Sequence, residues 1–188
     1  SVLCVKYRQV DNCLVVFADD SVPRWINTLC ALDHRTVAGS DKFGNVFVLR
    51  VPEGTDDDTD PSAGSRALWD VGGRNKLVQE CHYYVGDMVT SLRKVQFVPG
   101  GPEILLAATI SGELHALLPL SSKGDVDFFC ALEAFLREQY APLCGRVHLS
   151  YRSYYQPVRN LVDGDLCERY GELSYNAKSA FAEEQGRS

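Results

Sequence analysis

The chain lacks an apolar run approaching the ~18–20 residues that a membrane-crossing helix requires. It also lacks cysteine pairs. Seven cysteines, an odd number, are scattered at positions 4, 13, 30, 81, 130, 144 and 167 with no Cys-x2-Cys spacing. That argues against a disulfide framework and against a four-ligand structural zinc, and for a reducing compartment. Cys4, Cys13, Cys30 and Cys130 lie in apolar patterns, where a thiol acts as a small hydrophobe. Basic charge is short as well: the net charge is −6, whereas a protein tracking nucleic-acid phosphates normally carries a basic face. The run Asp56-Asp57-Asp58-Thr59-Asp60 supplies four of the negative charges, so the remainder is mildly acidic. No G-x-S-x-G nucleophile elbow occurs. No protease signature surrounds Cys144, which leaves a Cys/His hydrolase as the weakest alternative. No catalytic residue, metal or cofactor is expected.

Apolar mass is what the chain has, 45% hydrophobic against 23% charged, enough to build a core. Strand-like sequence begins at once after Ser1, which reads as an internal or processed segment. Two stretches repeat one phrase. Val37-Ala38-Gly39-Ser40-Asp41-Lys42-Phe43-Gly44-Asn45-Val46-Phe47 runs from small and apolar through a glycine turn to β-branched and aromatic. Leu106-Ala107-Ala108-Thr109-Ile110-Ser111-Gly112-Glu113-Leu114-His115 repeats it, with a turn expected to be about two residues shorter. Both predict β-hairpins in which glycine supplies a positive φ. Gly44 and Gly112 are 68 positions apart. Removing an acidic insert at 52–76 leaves a spacing of about 43, within the ~40–45 residues of a propeller blade.

Strands are predicted at 2–7, 13–18, 26–32, 36–40, 45–51, 77–85, 89–98, 104–109 and 113–120. In blade order these are the two outer strands of one blade, a full blade from 26 to 85, and three strands of a last blade. The missing fourth strand would come from elsewhere. Beyond Asp125 the period lengthens. Phe128, Phe129, Leu132, Phe135, Leu136 and Tyr140 share one helical face, with Asp125 or Asp127 placed to cap it. A short aromatic element covers 148–155. Further helices are expected from Asp163, with Leu166, Cys167, Tyr170 and Leu173 inward, and from Ser174, with Ala177, Ala180 and Phe181. The predicted fold is mainly β with α, a partial WD40-like β-propeller over 1–122 followed by a small helical domain over 123–188.

Several motifs resemble one known family. They are Phe17-Ala18-Asp19-Asp20, Pro23-Arg24-Trp25, Asp41-Lys42-Phe43-Gly44-Asn45, Ala67-Leu68-Trp69-Asp70, Pro99-Gly100-Gly101 and Asp127-Phe128-Phe129. With them go Pro142-Leu143-Cys144-Gly145-Arg146, His148-Leu149-Ser150-Tyr151-Arg152-Ser153-Tyr154-Tyr155 and Asp163-Gly164-Asp165-Leu166-Cys167-Glu168. In that order they are similar to the third propeller and C-terminal helices of the subunit 3 family of splicing factor 3b. The large subunits of the damaged-DNA-binding protein and of the cleavage and polyadenylation factor share the architecture. Pro-Arg-Trp together with Asp-Lys-Phe-Gly-Asn favours the splicing family; the alternatives are a damaged-DNA and ubiquitin-ligase adaptor or a 3′-end processing subunit. The resemblance weakens after Glu172. It implies a nuclear, non-catalytic scaffold of the splicing factor 3b complex in the U2 small nuclear ribonucleoprotein, acting in pre-mRNA splicing. The implied partners are the HEAT-repeat subunit, the PHD-finger-like zinc subunit, the smallest subunit and the remaining propeller segments of the same polypeptide, with RNA contact indirect or peripheral.

Each candidate site residue has a bland reading beside the sharp one. Asp20, Arg24 and Trp25 have the composition of an interface anchor, but an Asp–Arg pair with Trp25 packed between blades is favoured. Tyr151, Arg152, Tyr154 and Tyr155 would suit base stacking, yet the acidity of the chain and the helical spacing of the tyrosines favour docking onto the propeller wall. Asp163 and Asp165 are the start of a calcium-loop pattern whose twelfth position is Ser174 and not glutamate, so helix capping is favoured. Cys144 and His148, with Cys81-His82, have only the spacing of a partial zinc site.

Overall fold

The computed structural model describes residues 1–55, 75–142, 145–146 and 148–186. Three antiparallel sheets come first. One pairs β1 (Leu3–Arg8) with β2 (Cys13–Asp19). The next runs β3 (Ile26–Ala31), β4 (Thr36–Asp41), β5 (Asn45–Arg50) and β6 (Val78–Tyr84) in sequence order. The last holds β7 (Val89–Val95), β8 (Ile104–Thr109) and β9 (Leu114–Leu117). Helices follow: α1 (Lys123–Gln139), α2 (His148–Tyr151), α3 (Gly164–Glu168), a 3-10 turn (Arg169–Glu172) and α4 (Tyr175–Glu184). The fold is mainly β with α, part of a WD40-like β-propeller and then a helical part.

The middle sheet is buried on both faces, and β5 shows why. Val46 and Val48 face a core with Tyr83 and Val85 at β6 and with Val89, Leu92 and Leu105 of the last sheet. Phe47 and Leu49, fully buried, face Val2, Ala18 and Leu77 on the other side. The period of two therefore points into two cores at once, as blades packed face to face require. Gly39 makes the packing tight, since a Cβ there would lie 2.5 Å from the Phe47 ring.

The internal repeat is closer than its sequence suggests. Val37↔Leu49, Ala38↔Val48 and Gly39↔Phe47 recur as Leu105↔Leu117, Leu106↔Ala116 and Ala107↔His115, at a constant offset. Gly44 N–H donates to the Asp41 carbonyl and Gly112 N–H to that of Thr109, both at 3.2 Å. The two turns are thus equal in length, correcting the expectation of a shorter second turn; Gly44 and Gly112 both take positive φ, 86° and 91°. Both sheets also carry a bulge at the start of their first strand, at Ile26/Thr28 and Val89/Ser91.

Other expectations change. Neither Asp125 nor Asp127 caps α1: Ser122 is its N-cap, without a side-chain bond, so Asp125 sits in the first turn and favours the helix dipole instead. Cys130 is exposed, because the face of α1 that meets Leu166 and Phe181 carries Leu132 and Leu136. The element at 148–155 is helical only to Tyr151. Ser153 donates its hydroxyl to the Leu149 carbonyl and accepts from Val158 N–H, which turns the chain back. The returning chain then covers the outer edge of β6. Tyr84 N–H donates to the Arg152 carbonyl, His82 and Arg159 exchange backbone bonds of 3.1 and 2.9 Å, and Asn160 Nδ2 donates to the Glu80 carbonyl. Covering an edge removes a template for unwanted strand pairing. Among the described residues, β9 has no strand on its far side. The acidic run at 56–60, the motif at 67–70, and Leu143 and Cys144 lie outside the described residues.

Candidate functional site

The sequence candidates separate into three places. The first is interior. Pro23 ends the link from β2, and the alternation entering β3 sends Arg24 inward and Trp25 outward. Arg24 Nε donates to Asp20 Oδ2 at 2.7 Å, with side chains 0% and 2% exposed. Asp20 Oδ1 accepts from Val22 N–H, Arg24 Nη2 donates to Gln79 Oε1, and the guanidinium lies 4.0 Å over the Phe47 ring. The guanidinium is thus pressed on an aromatic face and closed by a carboxylate, both side chains buried among the described residues. Among the described residues Trp25 has no sheet packed over it. It is 67% exposed, with Lys42 Nζ 3.5 Å over its ring.

The second place is where Tyr154 and Tyr155 land. Tyr155 donates its hydroxyl to Asp41 Oδ2 and sets its ring edge-on to His82 and Phe43. Asp41, fully buried, organises the β4–β5 turn: Oδ1 accepts from Phe43 N–H at 2.9 Å and from Asn45 N–H and Nδ2 at 3.0 Å. Burial, and then the bond to Asp41, push the Tyr155 phenol up to about 12, so it stays a donor. His82 is fully buried beneath it; burial first, then the Arg24 charge, lower its imidazole to about 4, opposed by Asp41. Tyr154 stacks on Tyr84 at 5.4 Å and 21°. Tyr154 and Tyr155 therefore reach the sheet from a loop and not from a helix face, whereas Tyr151 ends α2 beside Arg152.

The third place is the start of α3. Asp163 is its N-cap, accepting from Leu166 N–H at 3.2 Å, which agrees with the capping expectation. Arg152 Nε donates to the other oxygen of Asp163 at 3.0 Å, and its Nη2 lies 3.5 Å from the exposed Asp165. Arg152 also sits 5.2 Å over Tyr151 and 5.3 Å over Tyr83. Tyr151, Arg152, Asp163 and Asp165 line a shallow cavity of about 240 Å³ with Tyr140 and Arg169.

Asp41 reads in sequence as turn chemistry and His82 only as a possible completion of a partial zinc pattern; the fold shows Tyr155 reaching both. Burial raises the Cys81 and Cys167 thiols to about 11, disfavouring the nucleophilic thiolate. Among the described residues no group of three acidic, histidine or cysteine side chains is placed to hold a metal.

Stacked antiparallel sheets with one edge sealed by the chain returning from a helix define a propeller-and-helix module of the CPSF A subunit region, whose pattern matches residues 1–172. The chain belongs to that family. It is 46% identical over 192 residues to the Danio rerio protein named Splicing factor 3B subunit 3, with 100% of this chain and 16% of that protein covered. It is 48% identical over 194 residues to the Dictyostelium discoideum protein named Probable splicing factor 3B subunit 3, covering 100% of this chain and 15% of that protein. Identity to the Emericella nidulans Pre-mRNA-splicing factor rse1 is 42% over 193 residues, covering 100% and 16%. The chain thus spans 15–16% of the length of these relatives.

Proposed function

We propose that the chain is part of a non-catalytic scaffold subunit of the splicing factor 3b complex of the U2 small nuclear ribonucleoprotein, acting in the nucleus in pre-mRNA splicing. The observation that carries this reading is identity of 46–48% across the whole chain to proteins named as splicing factor 3B subunit 3. Residues 1–122 serve as the propeller part and 123–188 as the helical domain. The geometry agrees with a scaffold. Asp20, Arg24, Tyr155, Arg152 and Asp163 direct their polar groups to one another or to buried neighbours, which leaves shape and surface side chains to contact partners. Those partners are the HEAT-repeat, PHD-finger-like and smallest subunits of the complex, and the rest of the same polypeptide. Affinity purification of the full-length protein from nuclear extract tests the proposal. U2 components are expected; a cullin or polyadenylation factors in their place would overturn it.

A further inference from the structure

Five of the seven buried side-chain polar atoms that lack a hydrogen-bond partner among the described residues gather in one place. They are Arg24 Nη1, Asn45 Oδ1, both ring nitrogens of His82, and Gln156 Oε1. The place is the seam where the β2–β3 link, the β4–β5 turn, β6 and the chain returning after α2 meet. Asp20 and Gln79 hold the other guanidinium nitrogens of Arg24, and Asp41 holds Asn45 Nδ2. Tyr155, next to Gln156 in the chain, sets its ring edge-on to His82. The Arg24 charge acts on His82 and on Tyr155, so the guanidinium is a neighbour of both. The Arg24 side chain is 0% exposed, and His82 and Asn45 are fully buried. Polar atoms at such depth have given up their hydration and are seldom left unpaired.

We propose that this seam is a binding site for an internal water, which accepts from Arg24 Nη1 and donates to the His82 nitrogen that carries no proton. Its second hydrogen goes to Gln156 Oε1. Charge decides the occupant. Arg24 repels a cation, while Asp20 and Asp41 repel an anion, so a small neutral molecule is what the site takes. The donor and acceptor types match. Arg24 Nη1 only donates and Gln156 Oε1 only accepts. Burial keeps His82 neutral, and the Pro157 carbonyl draws its ring proton, which leaves the other nitrogen an acceptor. These atoms close no bond with one another, whereas one water has two hydrogens to give and lone pairs to receive. A cleft of about 460 Å³, lined by Asp20, Gln79, Gln156 and Pro157, gives solvent a way in. The water ties the entry of β3, β6 and the returning chain together, and it belongs to the interior whichever assembly the protein joins.

The test is a density map of the purified assembly containing the full-length protein, at a resolution that orders water. The expected result is a single-oxygen peak within about 3.2 Å of both Arg24 Nη1 and a His82 ring nitrogen. The map of the His82→Phe protein should lose that peak while Arg24 stays on Asp20, because a phenyl ring offers the water no acceptor. The map of the unsubstituted protein decides by itself where that variant does not fold. A direct bond from Arg24 to His82 or Gln156, a side chain from another segment in place of the peak, a dry seam, or a peak that survives His82→Phe would overturn the proposal.

Discussion

The Tyr155 hydroxyl donates at 2.5 Å to the buried carboxylate of Asp41, 114 residues earlier in the chain. The same carboxylate closes the β4–β5 turn, so one group ties the loop after α2 to the repeat hairpin. At the equivalent place in the second hairpin stands Thr109, whose hydroxyl accepts from Glu113 N–H and from no tyrosine. Tyr155→Phe should cost about 1–3 kcal/mol, the range for a hydrogen bond to a charged, buried acceptor. Denaturant unfolding measures it. Combined with Asp41→Asn the losses should fall short of additive, because both remove one contact.

Arg24→Ala should be among the most damaging single changes, at about 3–5 kcal/mol, since it strands Asp20 without a counter-charge. Arg24→Met with Asp20→Leu should recover much of that loss. Thermal melts of the three proteins give the comparison. Equal damage from the single and double variants would show that the packing on Phe47 matters more than the ion pair.

Stability should fall in acid through His82. Its folded pKa, about 4, lies below the ordinary 6.5, so the unfolded chain takes up the proton first. The contribution is fully present above pH 6.5 and is lost between pH 6.5 and about 4, by up to about 3 kcal/mol. His82→Asn should lower stability at neutral pH and flatten the profile across that window, as read from unfolding midpoints at stepped pH.

The two glycines should differ although both have positive φ. A Cβ at Gly44 would come within 2.8 Å of the Asp87 carbonyl, whereas at Gly112 it would meet open space. Gly112→Ala should cost about 1–2 kcal/mol, the strain of the left-handed conformation alone. Gly44→Ala should cost more, because backbone must move as well. Unfolding midpoints of the two variants decide the order.

Strand identity was largely legible in the sequence because period-two alternation and glycine turns are local signals. The strand at Ile104–Thr109 has its predicted bounds. Ends were less legible where apolar residues leave the sheet. β7 stops at Val95 although Phe97 and Val98 follow, because Val98 enters a turn in which its carbonyl accepts from Gly101 N–H. β9 stops at Leu117, two residues before Pro119. The candidate site was legible where its chemistry is local, as with the Asp163 cap and the Asp20–Arg24 pair. Nothing local shows that Trp25 faces solvent while Arg24 is buried, or that Asp41 is the partner of Tyr155. Those facts depend on contacts between distant segments, as does the covering of the β6 edge by Arg159 and Asn160.

We propose that the strands are an arc of a propeller whose last sheet is finished by chain outside these residues. Hydrogen exchange across β9 tests this most directly, comparing the full-length protein with a segment of these 188 residues. In Leu114–Leu117, the amides facing away from β8 should be strongly protected in the full-length protein and should exchange rapidly in the segment. Rapid exchange of those amides in both would mean that no strand completes the sheet, and would contradict the account.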